Sequence, residues 1–170
     1  MPLFGTLVGL EYEQRSIVGV IYVPVLDECV YAGEGCGAWY VQGDNPPQPA
    51  RVSSRESLAE GLLVTTQLDL FDDREAGHVF RELQRHARVT RTWGDCYGYL
   101  LVATGRAEVM IDPVMSVWDA AALQPILEEA GGTFTNWRGN RTIYHGEGIG
   151  TNRRVLEEVL SITRPYSDAR

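Results

Sequence analysis

Asp119 follows Trp118 at the head of an apolar run, Ala120-Ala121-Ala122, which continues through Ile126 to Glu128-Glu129-Ala130-Gly131-Gly132. An aspartate in the first turn of a helix is held by the positive end of the helix dipole. One carboxylate oxygen can serve the backbone while the second stays free, and a free carboxylate oxygen suits a hard cation such as magnesium. The same residue also reads as a simple helix cap, and both readings stand at this point. Seven residues earlier, Asp112 closes a strand-like stretch and precedes Pro113. Strand-to-helix junctions form the ligand edge of α/β sheets, so this carboxyl could take hydrogen bonds from a polar substrate. The bland alternative is a turn-forming Asp-Pro. A third junction runs Arg91-Thr92-Trp93-Gly94-Asp95-Cys96-Tyr97-Gly98. There Gly94 would let backbone approach a ligand, Asp95 could cap the next helix or touch substrate, and Arg91 could pair with Asp95 or with a phosphate.

Other candidates carry less. Gly33-Glu34-Gly35-Cys36-Gly37 and Gly146-Glu147-Gly148-Ile149-Gly150 resemble phosphate loops only superficially. Neither has dinucleotide-motif spacing or a P-loop lysine, so tight turns explain them better. His78 and His86 fall on a helix with an exposed face and no ligand partner. Ser53-Ser54 reads as a cap before Leu58 rather than a nucleophile, and no GxSxG elbow occurs.

These residues must be positioned by 170 residues, of which 44% are apolar. That suffices for a core of one domain or of parts of two. The net charge is −8, and all fifteen basic residues are arginine. An acidic chain without a basic stripe argues against nucleic-acid or anionic-membrane partners. It also makes a phosphate substrate awkward unless a divalent metal inverts the local field. Cys29, Cys36 and Cys96 form no CxxC pair, which suggests reduced thiols and a cytoplasmic setting. No apolar run reaches membrane-spanning length, and the opening Met1-Pro2-Leu3-Phe4-Gly5 lacks the basic region of a signal peptide.

Strand-like runs cover residues 4–12, 17–24, 29–32 and 38–41, with spacings that favour an antiparallel meander. Residues 43–49 hold three prolines, which excludes regular structure and places a boundary near residue 50. The division expected is a first-sheet region at 1–49 and a C-terminal α/β domain at 50–170. In the second part strands are expected at 61–67, 88–92, 107–111, 132–136 and around Ile149. Helices are expected at 72–86, 96–104, 117–130 with Pro125 inside, and 153–162. Alternating strands and helices argue for an α/β layer.

Trp118-Asp119-x-Ala121-Ala122 through Glu129-Ala130-Gly131-Gly132 resembles the C-terminal signature of the inositol monophosphatase family, with its WDxAA start and EAGG end. The resemblance runs over nearly the whole chain. Within the family it is nearest to bacterial histidinol-phosphatases, on residues 91–108 and on Pro2-Leu3-Phe4-Gly5-Thr6-Leu7 with Val20-Ile21-Tyr22-Val23-Pro24. The resemblance implies an α-β-α-β-α sandwich and magnesium-dependent hydrolysis of a phosphate monoester, in a protein that is a homodimer at full length. It implies that Asp119 ligates metal, that Asp112 contacts the organic part of the substrate, and that Gly94, Asp95 and Cys96 line the pocket.

One departure matters. The family's upstream glutamate and its DPIDGT-like motif, which supply most metal ligands, match no position here. The chain is therefore expected to be a partial sandwich without its early helices, inactive by itself, with an apolar face or edge of the first sheet left uncovered.

Overall fold

In the computed structural model, which describes residues 2–168, the chain opens with five strands: β1 (Thr6–Tyr12), β2 (Arg15–Val23), β3 (Glu28–Gly33), β4 (Gly37–Gln42) and β5 (Gln48–Pro49). They pair in chain order, each antiparallel to the next. Glu13 and Gln14 turn β1 into β2 with φ of 48° and 60°, the left-handed pair whose twist matches a two-residue hairpin. The proline-rich stretch is not wholly irregular. Its last two residues pair with Tyr40 and Trp39, and Pro49 is tolerated because β5 is an edge strand.

A short 3-10 turn (Leu58–Glu60) then leads into β6 (Leu62–Thr65), α1 (Asp69–Asp73), α2 (Gly77–His86), β7 (Val89–Arg91), α3 (Cys96–Ala103), β8 (Val109–Asp112), α4 (Val117–Glu129), β9 (Thr133–Thr135), β10 (Gly148–Thr151) and α5 (Leu156–Asp168). The second sheet has the order β7-β6-β8-β10-β9. Strands β7 and β8 run parallel to β6, and β10 runs antiparallel to both β8 and β9. The single helix expected over 72–86 is instead two, because Glu75 adopts φ 59° and breaks the run. The break lets Phe71 and Phe80 pack together, with ring centres 5.2 Å apart, while Phe71 also stacks on Trp137. The expected serine cap is also displaced: Ser57 caps the 3-10 turn by accepting from the Ala59 amide, and Ser53 donates to Glu108 instead. Helix α4 passes through Pro125 as one element.

Two cores stack the layers. In one, α3 and α4 lie between the sheets, with Ile21, Val23, Val30 and Ala32 of the first sheet meeting Leu100, Leu123 and Ile126. In the other, α2 and α5 cover the far side of the second sheet through Leu83, Val159 and Leu160 against Leu63, Val109 and Ile111. Helix α4 sits tightly on the first sheet because of two glycines. A Cβ on Gly19 would lie 2.0 Å from the Ala122 carbonyl oxygen, and one on Gly9 would lie 2.8 Å from Ala121. The resulting order is sheet, helices, sheet, helices, which is four of the five layers expected.

The outer face of the first sheet has no cover among the described residues. Cross-strand pairing places Val8 beside Val20 and Tyr31, and Leu10 beside Val18. Tyr31 continues to Trp39, and Cys29 to Val41. None of these side chains belongs to either core, and Val8 and Leu10 remain about half exposed, at 53% and 52%. The uncovered apolar face expected from the sequence is therefore present.

Candidate active site

Between the two sheets, where β8 hands over to α4 and a loop leads into α3, lies a cavity of about 360 Å³. Asp95, Cys96, Tyr99, Asp112 and Asp119 all line it, and no basic side chain among the described residues does. These residues, spread over positions 95–119, are brought to one place by the parallel pairing of β6 with β8 and by α3 and α4 packing side by side.

Asp119 is the third residue of α4 and does not cap it. Ser116 occupies the N-cap position, and no side-chain cap bond forms there. The Asp119 amide donates to the Ser116 carbonyl at 3.1 Å. Its carboxylate, partly exposed on the cavity wall, makes no hydrogen bond or ion pair among the described residues. The helix dipole supports that charge, and both oxygens remain free for a ligand.

Asp112 ends β8 and is 5% exposed. Its main-chain carbonyl accepts from the Trp137 indole at 3.2 Å, which fixes the strand end, but its Oδ1 has no partner. Burial pushes the carboxyl up to about 8. The Tyr99 hydroxyl acts against that rise, and the charges of Asp95 and Asp119 add to it. Tyr99 was not among the residues singled out from the sequence, because an aromatic inside the apolar helix α3 reads as core. Its ring is core, packed against Phe134 at 6.0 Å. The hydroxyl is 99% buried with its residue yet unpartnered. It faces Asp112 closely enough to influence that carboxyl, but the geometry falls short of a formed hydrogen bond. A buried tyrosine oxygen normally finds a partner, and that was the only available signal.

The loop before α3 is strained. Asp95 holds φ 57° and ψ −148°, a region that suits glycine and is otherwise seen where surrounding structure enforces it. Its carboxylate accepts from the Thr66 hydroxyl at 3.1 Å and does not cap α3. Packing by itself demands Gly94, since a Cβ there would meet the Thr66 Cα at 2.6 Å. Cys96 is buried in the cavity wall. Burial, then the Asp95 charge, pushes its thiol up to about 11, so it is a neutral wall atom rather than a thiolate. Arg91 is not brought to the cavity. Its guanidinium lies over the Trp93 ring at 5.8 Å and donates to the Thr90 carbonyl, and Asp95 is served by Thr66 instead.

The first glycine-rich stretch is the β3–β4 turn, but the second is not a turn throughout, because Gly148, Ile149 and Gly150 lie in β10. The amides of Gly35 and Gly37 both donate to the Glu129 carboxylate, at 2.8 and 2.7 Å, which clamps the β3–β4 turn to the end of α4. The carbonyl of Gly146 accepts from the Met115 amide. His78 and His86 are exposed. His86 lies near Glu82 and Glu158, and His78 meets Tyr166 edge-on.

A layered α/β sandwich with an acidic cavity between its sheets is the class defined by this geometry. The chain belongs to the inositol monophosphatase family, whose profile matches residues 1–167. It is 41% identical over 149 residues to a histidinol-phosphatase of Chlorobaculum parvum, a match covering 88% of this chain and 56% of that protein. A histidinol-phosphatase of Streptomyces coelicolor is 29% identical over 164 residues, covering 94% of this chain and 62% of the relative. Among solved structures, an inositol monophosphatase from Zymomonas mobilis superimposes with a TM-score of 0.86 at 28% identity, covering 96% of this chain and 63% of the other. The chain thus spans less than two thirds of the length of each of these proteins.

The family uses a divalent metal. Among the described residues no group of three or more His, Cys, Asp or Glu side chains could hold one. Asp119 offers one free carboxylate, and a single carboxylate holds a hydrated magnesium ion only weakly. The described residues therefore do not complete a metal site by themselves. No helix is long and apolar enough to cross a membrane among the described residues.

Proposed function

We propose that this chain is the substrate-facing portion of a magnesium-dependent phosphate-monoester hydrolase acting on histidinol phosphate, a small phosphorylated metabolite, in the cytoplasm. At full length the protein acts as a homodimer. Asp119 contributes one metal ligand, Asp112 meets the organic part of the substrate, and Asp95 and Cys96 form the adjoining wall. The observation that carries this reading is the convergence of Asp95, Asp112 and Asp119 on one cavity that no basic side chain among the described residues lines. The charges of Asp95 and Asp119 repel a phosphate, and intervening cations would offset that repulsion. The similarity to two histidinol-phosphatases supports the choice of substrate.

Hydrolysis by clustered metals needs several converging carboxylates, and this chain has one that is free. Phosphate release from histidinol phosphate under saturating magnesium should accordingly be negligible for the 170-residue chain. Turnover within about tenfold of a full-length histidinol-phosphatase would overturn that expectation. The sparse donor set also favours a second reading, a non-catalytic ligand-binding module. Calorimetric titration separates the two. Binding of histidinol phosphate that strengthens when magnesium is added supports the hydrolase, and binding indifferent to magnesium supports the module.

A further inference from the structure

We propose that Arg74 and Glu147 are positioning residues: together with Trp137 they clamp the 112–116 segment from outside the cavity and so set Asp112 and Asp119 relative to each other. The inference rests on the phosphatase reading above for what the two aspartates do, and adds the residues that aim them.

A cavity carboxyl lies at or just beyond each end of this segment. Asp112 closes β8, and Asp119 lies in the first turn of α4, whose N-cap is Ser116. Pro113 brings no main-chain N–H, so the start of the segment is tied down through its carbonyls. The Trp137 indole donates to the Asp112 carbonyl at 3.2 Å, and the Arg74 guanidinium donates to the next carbonyl, that of Pro113. Two consecutive acceptors are thus held by two neighbouring donors.

Those donors are locked to each other. The guanidinium lies over the Trp137 ring at 5.6 Å. Glu147 joins them: one carboxylate oxygen is 2.9 Å from Arg74, and the other accepts from the Trp137 amide at 3.1 Å. The Tyr166 hydroxyl donates to the Arg74 carbonyl, which fixes the main chain behind the guanidinium. The two charges are largely removed from water, with side chains 25% and 8% exposed. A buried ion pair adds little net stability over an apolar pair, whereas a planar guanidinium that meets two acceptors at once fixes direction. None of these three side chains lines the cavity, and the groups that act on the Asp112 carboxyl are Tyr99, Asp95 and Asp119. Arg74 therefore reaches the site through the main chain. Slack of about 1 Å at a reacting centre can cost on the order of a hundredfold in rate.

The test is hydrogen exchange of the 170-residue chain, read by mass spectrometry in wild type, Arg74→Gln and Glu147→Gln. Residues 113–120 include the Met115, Asp119 and Ala120 amides, which are bonded to Gly146 and Ser116, and residues 155–163 of the far layer include the Val159 amide, bonded to Val155. Arg74→Gln should speed exchange over 113–120 at least about tenfold and leave 155–163 within about threefold. Glu147→Gln, which keeps an acceptor for the Trp137 amide, should open the same residues by a smaller factor. A second reading ties the clamp to the site. Asp112→Asn should flatten the pH profile of stability less than half as much in the Arg74→Gln background as in wild type, because a slack segment lets water reach the carboxyl. An ion pair that only stabilises the fold gives other results. Exchange that rises alike in both stretches, or stays unchanged over 113–120, overturns the proposal, as does equal flattening in the two backgrounds; where wild type shows no flattening, exchange decides. Circular dichroism confirms that each variant folds, and if Arg74→Gln does not, Glu147→Gln decides. No substrate or turnover enters these measurements, so a chain without phosphatase activity leaves the result standing.

Discussion

Replacing Asp112 by Asn should change how the stability of this protein depends on pH. The carboxyl is raised from 3.8 to about 8 in the folded chain, chiefly by burial. Its unfolded counterpart titrates near the ordinary carboxylate value, so between those limits the folded state holds a proton that the unfolded state has released. Stability from this group is then fully present below about pH 4 and is lost as pH rises through about 8. A shift of about four units at 1.36 kcal/mol each sets a ceiling of roughly 6 kcal/mol. Water entering the open cavity relieves part of this, leaving about 2–3 kcal/mol to be lost between pH 5 and 8. Asn carries no charge at any pH and should flatten the profile by that amount, while the histidines titrate alike in both proteins and cancel. Urea unfolding followed by tryptophan fluorescence at pH 5, 6.5 and 8 gives the two profiles. Parallel curves for wild type and Asp112→Asn would refute the reasoning, because the carboxyl would then be solvated and ordinary.

Glu108 makes a second prediction. Fully buried, it accepts from the Ser53 hydroxyl, the Arg55 guanidinium and the Leu62 amide, at 2.8, 2.7 and 2.6 Å, and so ties residues 53–55 to β6. Glu108→Ala strands those donors and should cost about 3 kcal/mol, seen as a lower thermal midpoint; a change below about 0.5 kcal/mol would show that the network is dispensable. The third concerns the bare sheet face. Four strands spaced by about 4.8 Å, with some six residues each rising about 3.3 Å, present on the order of 400 Å², which is large for an exposed apolar patch. The chain should associate at micromolar concentration, and Leu10→Lys with Val20→Lys should shift it toward monomer in light scattering. A monodisperse wild-type monomer would count against this.

Local patterns in the sequence carried much of the fold. Short apolar, β-branched runs separated by polar turns over the first forty positions specified an antiparallel meander, because spacings that short leave no room for a crossover. The run after Trp118 specified α4, and its Gly131-Gly132 end specified where it stops. The sequence was silent where packing overrode pattern. The helix over 72–86 splits at Glu75, which lets Phe71 pack on both Phe80 and Trp137, the latter 66 residues away, a demand invisible in local periodicity.

The site divides in the same way. Residue type and position at strand-to-helix junctions marked Asp95, Asp112 and Asp119 as chemistry-bearing, and the motif around Asp119 fixed the family. Sequence could not show that Arg91 turns away onto Trp93, that Gly94 serves the Thr66 backbone, or that Tyr99 ends at Asp112. Those outcomes depend on distances between segments separated by up to 28 residues. The identity of the acidic residues was written in the chain; their convergence on one cavity, and the burial that leaves two oxygens without partners, came from the parallel pairing of β6 with β8 and the packing of α3 beside α4.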